Sequence, residues 1–260
     1  MKVDGGASCA VIVFAVIRLL VETEALQDFN PVLPAAAARH LKVVRPKEGE
    51  EVELFDGNGR SRLYTFRKAS PNSGLEAAAD AVMHEPSPVR ITLFACVTKG
   101  ARWDWTVEKA TEIGVGRIVP VISARTIVRI KPEERAAKRL RWQRVAEEAA
   151  GQSDAKYVPE ILEAVDFDDS LELVKKTECF IGALTSPPSP PLASALSAAA
   201  PGCKELAVFI GPEGDFTAEE LARLMELATP ACFGPSVLRA ETAAVFALSV
   251  VAASIHAGRS

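Results

Sequence analysis

From residue 90 onward, short runs of apolar residues alternate with segments of helical character. The apolar runs cover residues 90–97, 117–123, 179–184 and 206–210, and each is nearly continuous. Continuous apolar strands are typical of a sheet that is buried on both faces. A helix is predicted over residues 104–113 between the first two strands, with Gly114 as its C-cap. The pattern therefore predicts βαβ units and a parallel α/β sheet.

Residues 17–88 show a different pattern, in which short strands are separated by turns. Residues 51–55 alternate polar and apolar side chains, residues 56–59 read Asp-Gly-Asn-Gly, and residues 60–66 continue as a partner strand. This arrangement is typical of a β-hairpin. Several short strands within so short a stretch predict a small β-barrel. The proline-rich residues 85–88 mark the expected domain boundary.

Glycine-proline turns follow two apolar segments of the second half. Gly211-Pro212-Glu213-Gly214 follows the strand 206–210, and Phe233-Gly234-Pro235 comes soon afterwards. Open α/β sheets bind ligands at the carboxyl ends of their strands, and glycine lets a ligand approach the main chain. Thr217 and Glu220 have the spacing of a capping box, which predicts a helix start. We expect one pocket at these turns, although a lone glycine turn indicates no more than a strand-to-helix connection.

Several motifs, taken in their order along the chain, point to one family. The carboxyl-terminal pair is Gly-Pro-Glu-Gly at 211–214 and Val-Leu-Arg-Ala-Glu-Thr-Ala at 237–243. Upstream motifs are Arg-His-Leu at 39–41, Phe-Asp-Gly-Asn-Gly at 55–59, Lys-Ala-Thr-Glu-Ile-Gly-Val at 109–115 and Glu-Ala-Ala-Gly-Gln-Ser at 148–153. Each motif is weak alone. The ordered set, from residue 17 to the carboxyl terminus, resembles the bacterial small-subunit ribosomal RNA uridine N3-methyltransferases of the SPOUT superfamily.

The resemblance implies an architecture of two domains. A PUA-like β-barrel that binds RNA would cover residues 17–88, and a SPOUT α/β methyltransferase domain with a deep trefoil knot would cover residues 89–260. Residues 1–16 would be an atypical N-terminal extension. The almost wholly apolar residues 241–257 predict a final helix that needs burial on most sides. By resemblance this helix would pack at a homodimer interface of the knot domain, and burial within one monomer is the alternative.

The activity that the resemblance implies is methyl transfer from S-adenosylmethionine to N3 of one uridine in 16S ribosomal RNA, with no metal. Arg239 would stabilise the uridine anion or hold a phosphate. Glu213 would accept a proton or anchor a hydrogen bond, as could Glu241, although carboxylates that cap helix starts explain both equally well. The residues that would bind the cofactor are Leu184, Ile210, Gly211, Gly214, Phe233, Gly234, Val237, Leu238 and Thr242.

Charge gives no global signal for nucleic acid, because the net charge is −4 and the pI is about 5.6. A local basic band over residues 125–144 instead holds eight arginines and lysines against two glutamates. Such a patch favours phosphate binding, with Trp142 expected in the core, and a solvated helix face is the alternative. His40 could also cap a helix end. The residues expected to contact RNA are Arg39, His40, Arg45, Lys99, Arg125, Arg129 and Arg139.

Two places depart from the family pattern. Asp154-Ala155 stands where relatives usually carry Gly-Arg, with Lys156 as a candidate replacement for the charge, and Asp215 stands where glycine is commoner. The first departure keeps open a non-catalytic RNA-binding assembly factor. A ribose 2′-O-methyltransferase of the same superfamily is the alternative enzyme.

The cysteines and the amino terminus bear on compartment. The five cysteines are widely spaced without a Cys-x-x-Cys pair, and the three histidines do not cluster with them. We therefore expect neither a zinc site nor a disulfide framework, and a reducing cytoplasm fits best. The apolar run before Arg18 is too short for a membrane span, so we expect no membrane partner.

Overall fold

The computed structural model describes residues 16–175, 177–183, 188–198 and 203–257, so most of the proposed extension over residues 1–16 lies outside the described residues. The chain divides into two compact units. The first runs up to Phe55 and resumes over Ser61–Val82, and the second comprises Asp56–Arg60 together with everything from Met83 onward.

A five-stranded mixed sheet forms the first unit. Its strands are β1 (Ile17–Leu20), β2 (Glu51–Phe55), β3 (Arg60–Phe66), β4 (Leu75–Ala77) and β5 (Val82–Met83), and its α-helix is α1 (Ala35–Val44). β1 pairs with β2 in parallel, because α1 lies between them in the chain, whereas β2–β3 and β3–β4 are antiparallel. The predicted hairpin is confirmed with the predicted bounds. Its turn is held by Asp56, whose Oδ1 accepts from the main-chain N–H groups of Asn58 (2.8 Å) and Arg60 (3.0 Å).

Buried polar groups in the first unit are paired. The fully buried ring of Tyr64 places its hydroxyl 3.2 Å from the carbonyl of Ala25 and 3.1 Å from that of Asp28. Arg18 is buried as well, donates to Glu53 at 2.6 Å and lies over the ring of Phe55. A buried charge without such a partner would cost several kcal/mol (about 3–5). These contacts fix β1 and β2 against the apolar core around Leu19, Leu54 and Leu75.

The second unit is built on a seven-stranded parallel sheet in the order β12-β10-β11-β6-β7-β8, with β9 also on β7. The predicted βαβ unit is confirmed. The strands are β6 (Arg90–Cys96), β7 (Arg117–Ile122), β8 (Glu160–Ile161), β9 (Val165–Asp166), β10 (Glu178–Gly182), β11 (Glu205–Ile210) and β12 (Thr229–Ala231). The helices are α2 (Ala101–Ile113), α3 (Pro132–Gln152), α4 (Phe167–Val174), α5 (Leu192–Ala198), α6 (Ala218–Met225) and α7 (Ala240–Ala257).

Helices cover both faces of this sheet. Alternate residues of β6 point to opposite sides, so Leu93 joins the core under α2, α3 and α7, whereas Phe94 joins the core under α4 and α6. Trp142 is buried on the first side with its ring centroid 5.4 Å from that of Trp103, as expected. Phe94 stacks on Phe209 at 5.4 Å on the second side. Burial on both faces explains why these strands are continuously apolar.

Local signals fixed several helix ends. Thr217 and Glu220 form the predicted capping box of α6, with bonds of 3.1 and 3.0 Å. Gly114 ends α2 at φ 91°. The alternative that His40 caps a helix end is wrong, because α1 continues to Val44 and ends at Arg45. Among the described residues, no helix combines the length and apolar character that crossing a membrane requires.

Candidate active site at the carboxyl ends of the parallel strands

The parallel sheet brings the ends of three strands to one edge. β12, β10 and β11 are neighbours, and their register aligns Gly182 with Ala231 and Ile181 with Phe209. The strand order also changes direction beside β11, because β7 lies on one side of β6 and the later strand β11 lies on the other. Such switch points are where open α/β sheets bind ligands. Both predicted glycine-proline turns follow strands at this edge.

The first of these turns, Gly211–Thr217, is held by two arginines that reach it from neighbouring loops and helices. Arg102 of α2 pairs with the Glu213 carboxylate at 2.9 Å. Arg125, which follows β7, donates to the carbonyl oxygens of Gly214 (3.0 Å) and Phe216 (3.2 Å). A Cβ on Gly211 would lie 2.9 Å from the Phe216 ring, so this turn is also closely packed. Side chains from α2 and from the segment after β7 therefore both hold this turn in place.

The second turn, residues 232–239, is tied to the loop before α5. The N–H of Cys232 donates to the carbonyl of Pro190 (2.8 Å), and the N–H of Leu192 donates back to the carbonyl of Cys232 (3.1 Å). The Phe233 ring packs directly against Gly182, where an added Cβ would come within 2.8 Å of it. Beyond this anchor the turn opens to solvent, since Val237 is 89% exposed.

Bare main-chain groups line the two turns. The N–H groups of Gly211, Gly234 and Leu238 donate no hydrogen bond to another described residue. Gly234 has φ 133°, and no atom lies within 4 Å of the position where its Cβ would stand. Unpaired main-chain donors beside an apolar ring are the groups that hold the edge and face of a flat heterocycle.

The two predicted catalytic residues occupy different positions at this edge. Glu213 lies in the first turn, where Arg102 holds its carboxylate. Arg239 is exposed just before α7, and within the described part of the chain it has no ion pair. Glu241 lies at the start of α7, and its Oε2 atom is buried without a hydrogen-bond partner among the described residues. The predicted cofactor residue Thr242 is exposed next to it, and Leu184 lies outside the described residues.

A cysteine lies at the end of the adjacent strand, but its chemistry is unsuited to nucleophilic attack. Burial raises the pKa of the Cys96 thiol to about 11, despite its hydrogen bond to the Ser123 hydroxyl at 3.5 Å. The thiol is therefore protonated at neutral pH, whereas the thiolate is the nucleophile.

The residues predicted to contact RNA fall into two groups. Arg125, Arg129 and Arg139 donate to main-chain carbonyls, at 3.0 Å to Gly214, 3.1 Å to Ala124 and 3.0 Å to Ile161 respectively. Such bonds orient a guanidinium without cancelling its charge. Lys99, after β6, and Arg39, His40 and Arg45 of the first unit are exposed.

The two departures from the family pattern share one backbone feature. Asp154 has φ 58° and Asp215 has φ 59°, in the left-handed region that favours glycine. Aspartate tolerates this region because its short carboxylate bonds locally. Asp215 Oδ1 accepts from the N–H of Phe216 at 2.7 Å, and Asp154 pairs with Lys156 at 2.7 Å. Both aspartates thus adopt the left-handed backbone conformation that a glycine adopts readily.

Two residues of the site carry no signal that sequence reasoning could use. Arg102 lies within α2 far from the turn in sequence, and Gly182 ends a strand as an isolated glycine. Only the sheet order places them beside Glu213 and Phe233.

Comparison with protein families decides the class of protein. The model of the RNA methyltransferase domain matches residues 85–252, and that of the RNA methyltransferase PUA domain matches residues 33–75. This chain belongs to the RNA methyltransferase family. The predicted α/β class and PUA-like N-terminal domain are confirmed with it.

Two relatives of this chain are named as ribosomal RNA methyltransferases. The ribosomal RNA small subunit methyltransferase E of Bacillus subtilis is 31% identical over 168 residues, which cover 63% of this chain and 66% of that protein. The protein of that name from Synechocystis is 26% identical, with 92% of this chain and 78% of that protein covered.

Solved structures that contain S-adenosylmethionine share the fold. The ribosomal RNA small subunit methyltransferase E of Neisseria gonorrhoeae, bound to S-adenosylmethionine, has a TM-score of 0.70 at 28% identity and covers 84% of this chain and 89% of its own. A Legionella pneumophila protein in complex with S-adenosylmethionine has a TM-score of 0.73 at 26% identity, covering 92% and 98%.

The left-handed backbone at Asp215 predicts an order of stabilities. An L-residue without a local hydrogen bond pays about 1–2 kcal/mol in this conformation, and glycine pays none. We therefore expect Asp215→Ala to lower the free energy of unfolding by about 1 kcal/mol, and Asp215→Gly to keep it within about 0.5 kcal/mol of the parent. Urea denaturation measures both, with Asp215→Asn as the control that tolerates the same φ. Equal stability of the alanine and glycine variants would show that the left-handed conformation at residue 215 costs no free energy.

Proposed function

We propose that this chain transfers the methyl group of S-adenosylmethionine to N3 of a uridine in the 16S RNA of the small ribosomal subunit. The observation that carries the proposal is that two glycine-proline turns follow β11 and β12, the two strands that flank β10 in the parallel sheet, in a chain of the RNA methyltransferase family. The names of the relatives support the substrate, and the two cofactor-bound neighbours support the cofactor.

The residues at this edge suit S-adenosylmethionine. The bare N–H groups of Gly211, Gly234 and Leu238 match the acceptor nitrogens of an adenine, and Phe233 offers an apolar face. When bound, the cofactor supplies an electrophilic methyl group on a sulfonium. The residues that we propose to hold it are Leu184, Ile210, Gly211, Gly214, Phe233, Gly234, Val237, Leu238 and Thr242.

The chain's own side chains would prepare the acceptor nitrogen. N3 of uridine is protonated at neutral pH, so its proton must leave before or as the methyl group arrives. Arg239 would stabilise the negative charge that then develops on the base. Glu213 would accept the proton or anchor the base, and Arg102 keeps its carboxylate in place. Because the pairing edge is the reacting edge, the uridine must be unpaired or flipped.

The remaining parts of the proposal concern partners and organisation. The partner is 16S RNA, free or in the small subunit, contacted by Arg39, His40, Arg45, Lys99, Arg125, Arg129 and Arg139.

Residues 17–88 would serve as the RNA-binding domain and residues 89–260 as the methyltransferase domain with a trefoil knot, following an extension at 1–16. We also propose a cytoplasmic homodimer through the knot domain. Phe246, which is 39% exposed on the apolar α7, supports that interface.

The tight contact between Gly182 and Phe233 predicts a loss of cofactor binding on a small change. Gly182→Ala places a methyl group where 2.8 Å separates it from the Phe233 ring, so the second turn must move. We expect the affinity for S-adenosylmethionine to fall about tenfold or more, because a displaced turn no longer presents its main-chain donors. Isothermal titration measures the dissociation constant.

Gly151→Ala is the matched control for this experiment. Nothing lies within 4 Å of its Cβ position, and it is in α3 away from the turns. Its affinity should equal that of the parent. If Gly182→Ala binds the cofactor as Gly151→Ala does, the second turn is not part of the cofactor site.

The mark on ribosomal RNA tests the reaction itself. N3 methylation blocks the pairing edge, so reverse transcription of 16S RNA should stop at one uridine in cells that carry the gene and read through in a deletion strain. The Arg239→Ala chain should restore the stop weakly or not at all, since loss of one charge-stabilising donor costs about 10²–10³ in rate. A stop that appears only at low nucleotide concentration would indicate a ribose methyl group instead. An unchanged pattern in the deletion strain would leave a non-catalytic RNA-binding factor.

The proposed dimer predicts that one apolar side chain controls the oligomeric state. Phe246→Glu places a charge on the outer face of α7, and a buried unpaired charge is costly, so the dimer should dissociate to monomers. Light scattering coupled to size exclusion measures the mass. Ala222→Glu, at an exposed site on α6, is the control and should stay dimeric. A parent chain that is already monomeric would rule out the interface.

A further inference from the structure

The first unit contains a cavity of about 560 Å³ that no step of the proposed reaction uses. It lies between the end of α1, the end of β3 and the loop that follows β3. Its apolar surface comes from Leu33, Leu41 and Phe66. Three exposed cations, Lys42, Arg45 and Lys68, line it as well. An apolar surface with a few charged groups is typical of a small-molecule pocket.

The charge around this cavity is unbalanced. No carboxylate lines it, and within the described part of the chain no salt bridge joins the side-chain cation of Lys42, Arg45 or Lys68 to a carboxylate, although the main-chain N–H of Lys68 donates to the Glu48 carboxylate at 3.0 Å. Two other arginines of the same unit, Arg18 and Arg67, do have carboxylate partners. The end of α1 contributes a partial negative charge of about 0.5, which three full positive charges outweigh. The cavity therefore attracts an anion.

Side-chain hydrogen bonds hold the wall of the cavity in place. Asn72 donates to the carbonyl of Asn30 at 2.9 Å, and Ser73 donates to that of Pro31 at 2.7 Å. Gly74, at φ 75°, lies so close to Phe66 that an added Cβ would come within 2.9 Å of its ring. The ring and the loop thus have little freedom, and a ligand would not have to order them.

Size and chemistry select the kind of ligand. Pockets for small molecules measure about 300–1,000 Å³, and one nucleotide fits within that range. A nucleotide joins a flat apolar base to a phosphate anion, which matches an aromatic ring beside unpaired cations. Single-stranded RNA is bound in this way, with bases on aromatic side chains and phosphates on lysine and arginine. A base in a duplex is stacked and paired, and so it could not enter.

We propose that this cavity holds one unpaired nucleotide of the RNA substrate, outside the uridine that is methylated. The proposal rests on the proposed function, since it takes RNA as the substrate. The base lies against Phe66, Leu33 and Leu41, and the phosphates lie near Lys42, Arg45 and Lys68. Lys42 and Lys68 had no predicted role, and Arg45 gains a specific one.

Two variants of the full chain separate the two kinds of contact. A double variant, Lys42→Ala with Arg45→Ala, should weaken binding of a short single-stranded oligouridylate, and the slope of log affinity against log salt should fall by about 1.4, because each of the two lost phosphate contacts contributes about 0.7. Phe66→Leu keeps an apolar side chain but removes the aromatic face. It should weaken binding about tenfold with the salt slope unchanged, since stacking is not ionic.

The control is Lys47→Ala, an exposed lysine of the same unit that does not line the cavity. It should change affinity less than twofold. Fluorescence anisotropy of labelled RNA gives the affinities. Urea denaturation curves that match those of the parent show that each variant, including its first unit, is folded, and the affinity for S-adenosylmethionine should be unchanged.

The outcomes distinguish this proposal from the proposed function. If the parent chain methylates ribosomal RNA but the cavity variants bind the oligouridylate as Lys47→Ala does, the cavity is not a nucleotide site. Equal binding of the same RNA as a duplex would also overturn the proposal, and so would competition by an acidic peptide but not by uridine monophosphate. If the parent chain neither binds S-adenosylmethionine nor marks RNA, the proposed function fails, whatever the cavity binds.

Discussion

The parallel pairing of β10, β11 and β6 is the constraint on which the second unit depends. The register sets Ile181 beside Phe209 and Phe209 beside Phe94, so three strands end together at one edge. Because helices cover both faces, the strands must satisfy their main-chain groups within the sheet. The loops beyond the ends of these central strands leave that pattern of pairing. Beyond the paired strands, the N–H groups of Gly211, Gly234 and Leu238 donate to no other described residue.

The arginines around the first turn orient it more than they stabilise it. The Arg102 side chain is half-exposed in its ion pair with Glu213, and such pairs contribute about 0–1 kcal/mol. Arg125 adds two bonds to main-chain carbonyls. A planar guanidinium offers several donors in fixed directions, so a small free energy is enough to select one loop conformation. A lysine in place of Arg125 could not hold the two carbonyl acceptors in the same way. The Glu213 carboxylate is thus oriented by a residue outside the turn.

The sequence predicted the elements whose cause is local. Asp56 and the glycines beside it specify the hairpin turn, Thr217 with Glu220 begins α6, and Gly114 ends α2. Each of these signals acts within a few residues, so reading the chain is enough to find it. The PUA-like and SPOUT assignments of the two domains followed from the ordered motifs, which reflect relationship rather than local physics.

What the sequence could not predict depends on residues that are distant in the chain. β1 and β2 pair in parallel because α1 crosses between them, a choice that short strands alone do not reveal. Arg102 meets Glu213, and Gly182 meets Phe233, only through the strand order. The cavity in the first unit likewise joins α1 to the loop after β3. No periodicity in either segment indicates that they meet.

The ability of a lysine or arginine in this chain to attract a phosphate depends on whether a carboxylate already pairs with it. The basic band on α3 appeared as a single patch in the sequence, but Arg135 pairs with Asp166 and Arg141 with Asp104, so two of its charges are balanced by carboxylates. Arg139 donates to a carbonyl and keeps its charge. Lysines and arginines without carboxylates nearby, such as Lys42 and Arg45, therefore attract phosphate more strongly per residue than those in a denser but paired band. In an acidic protein, the cations without a carboxylate salt bridge are the ones best able to attract a phosphate, and among the described residues three such side chains line the cavity of the first unit.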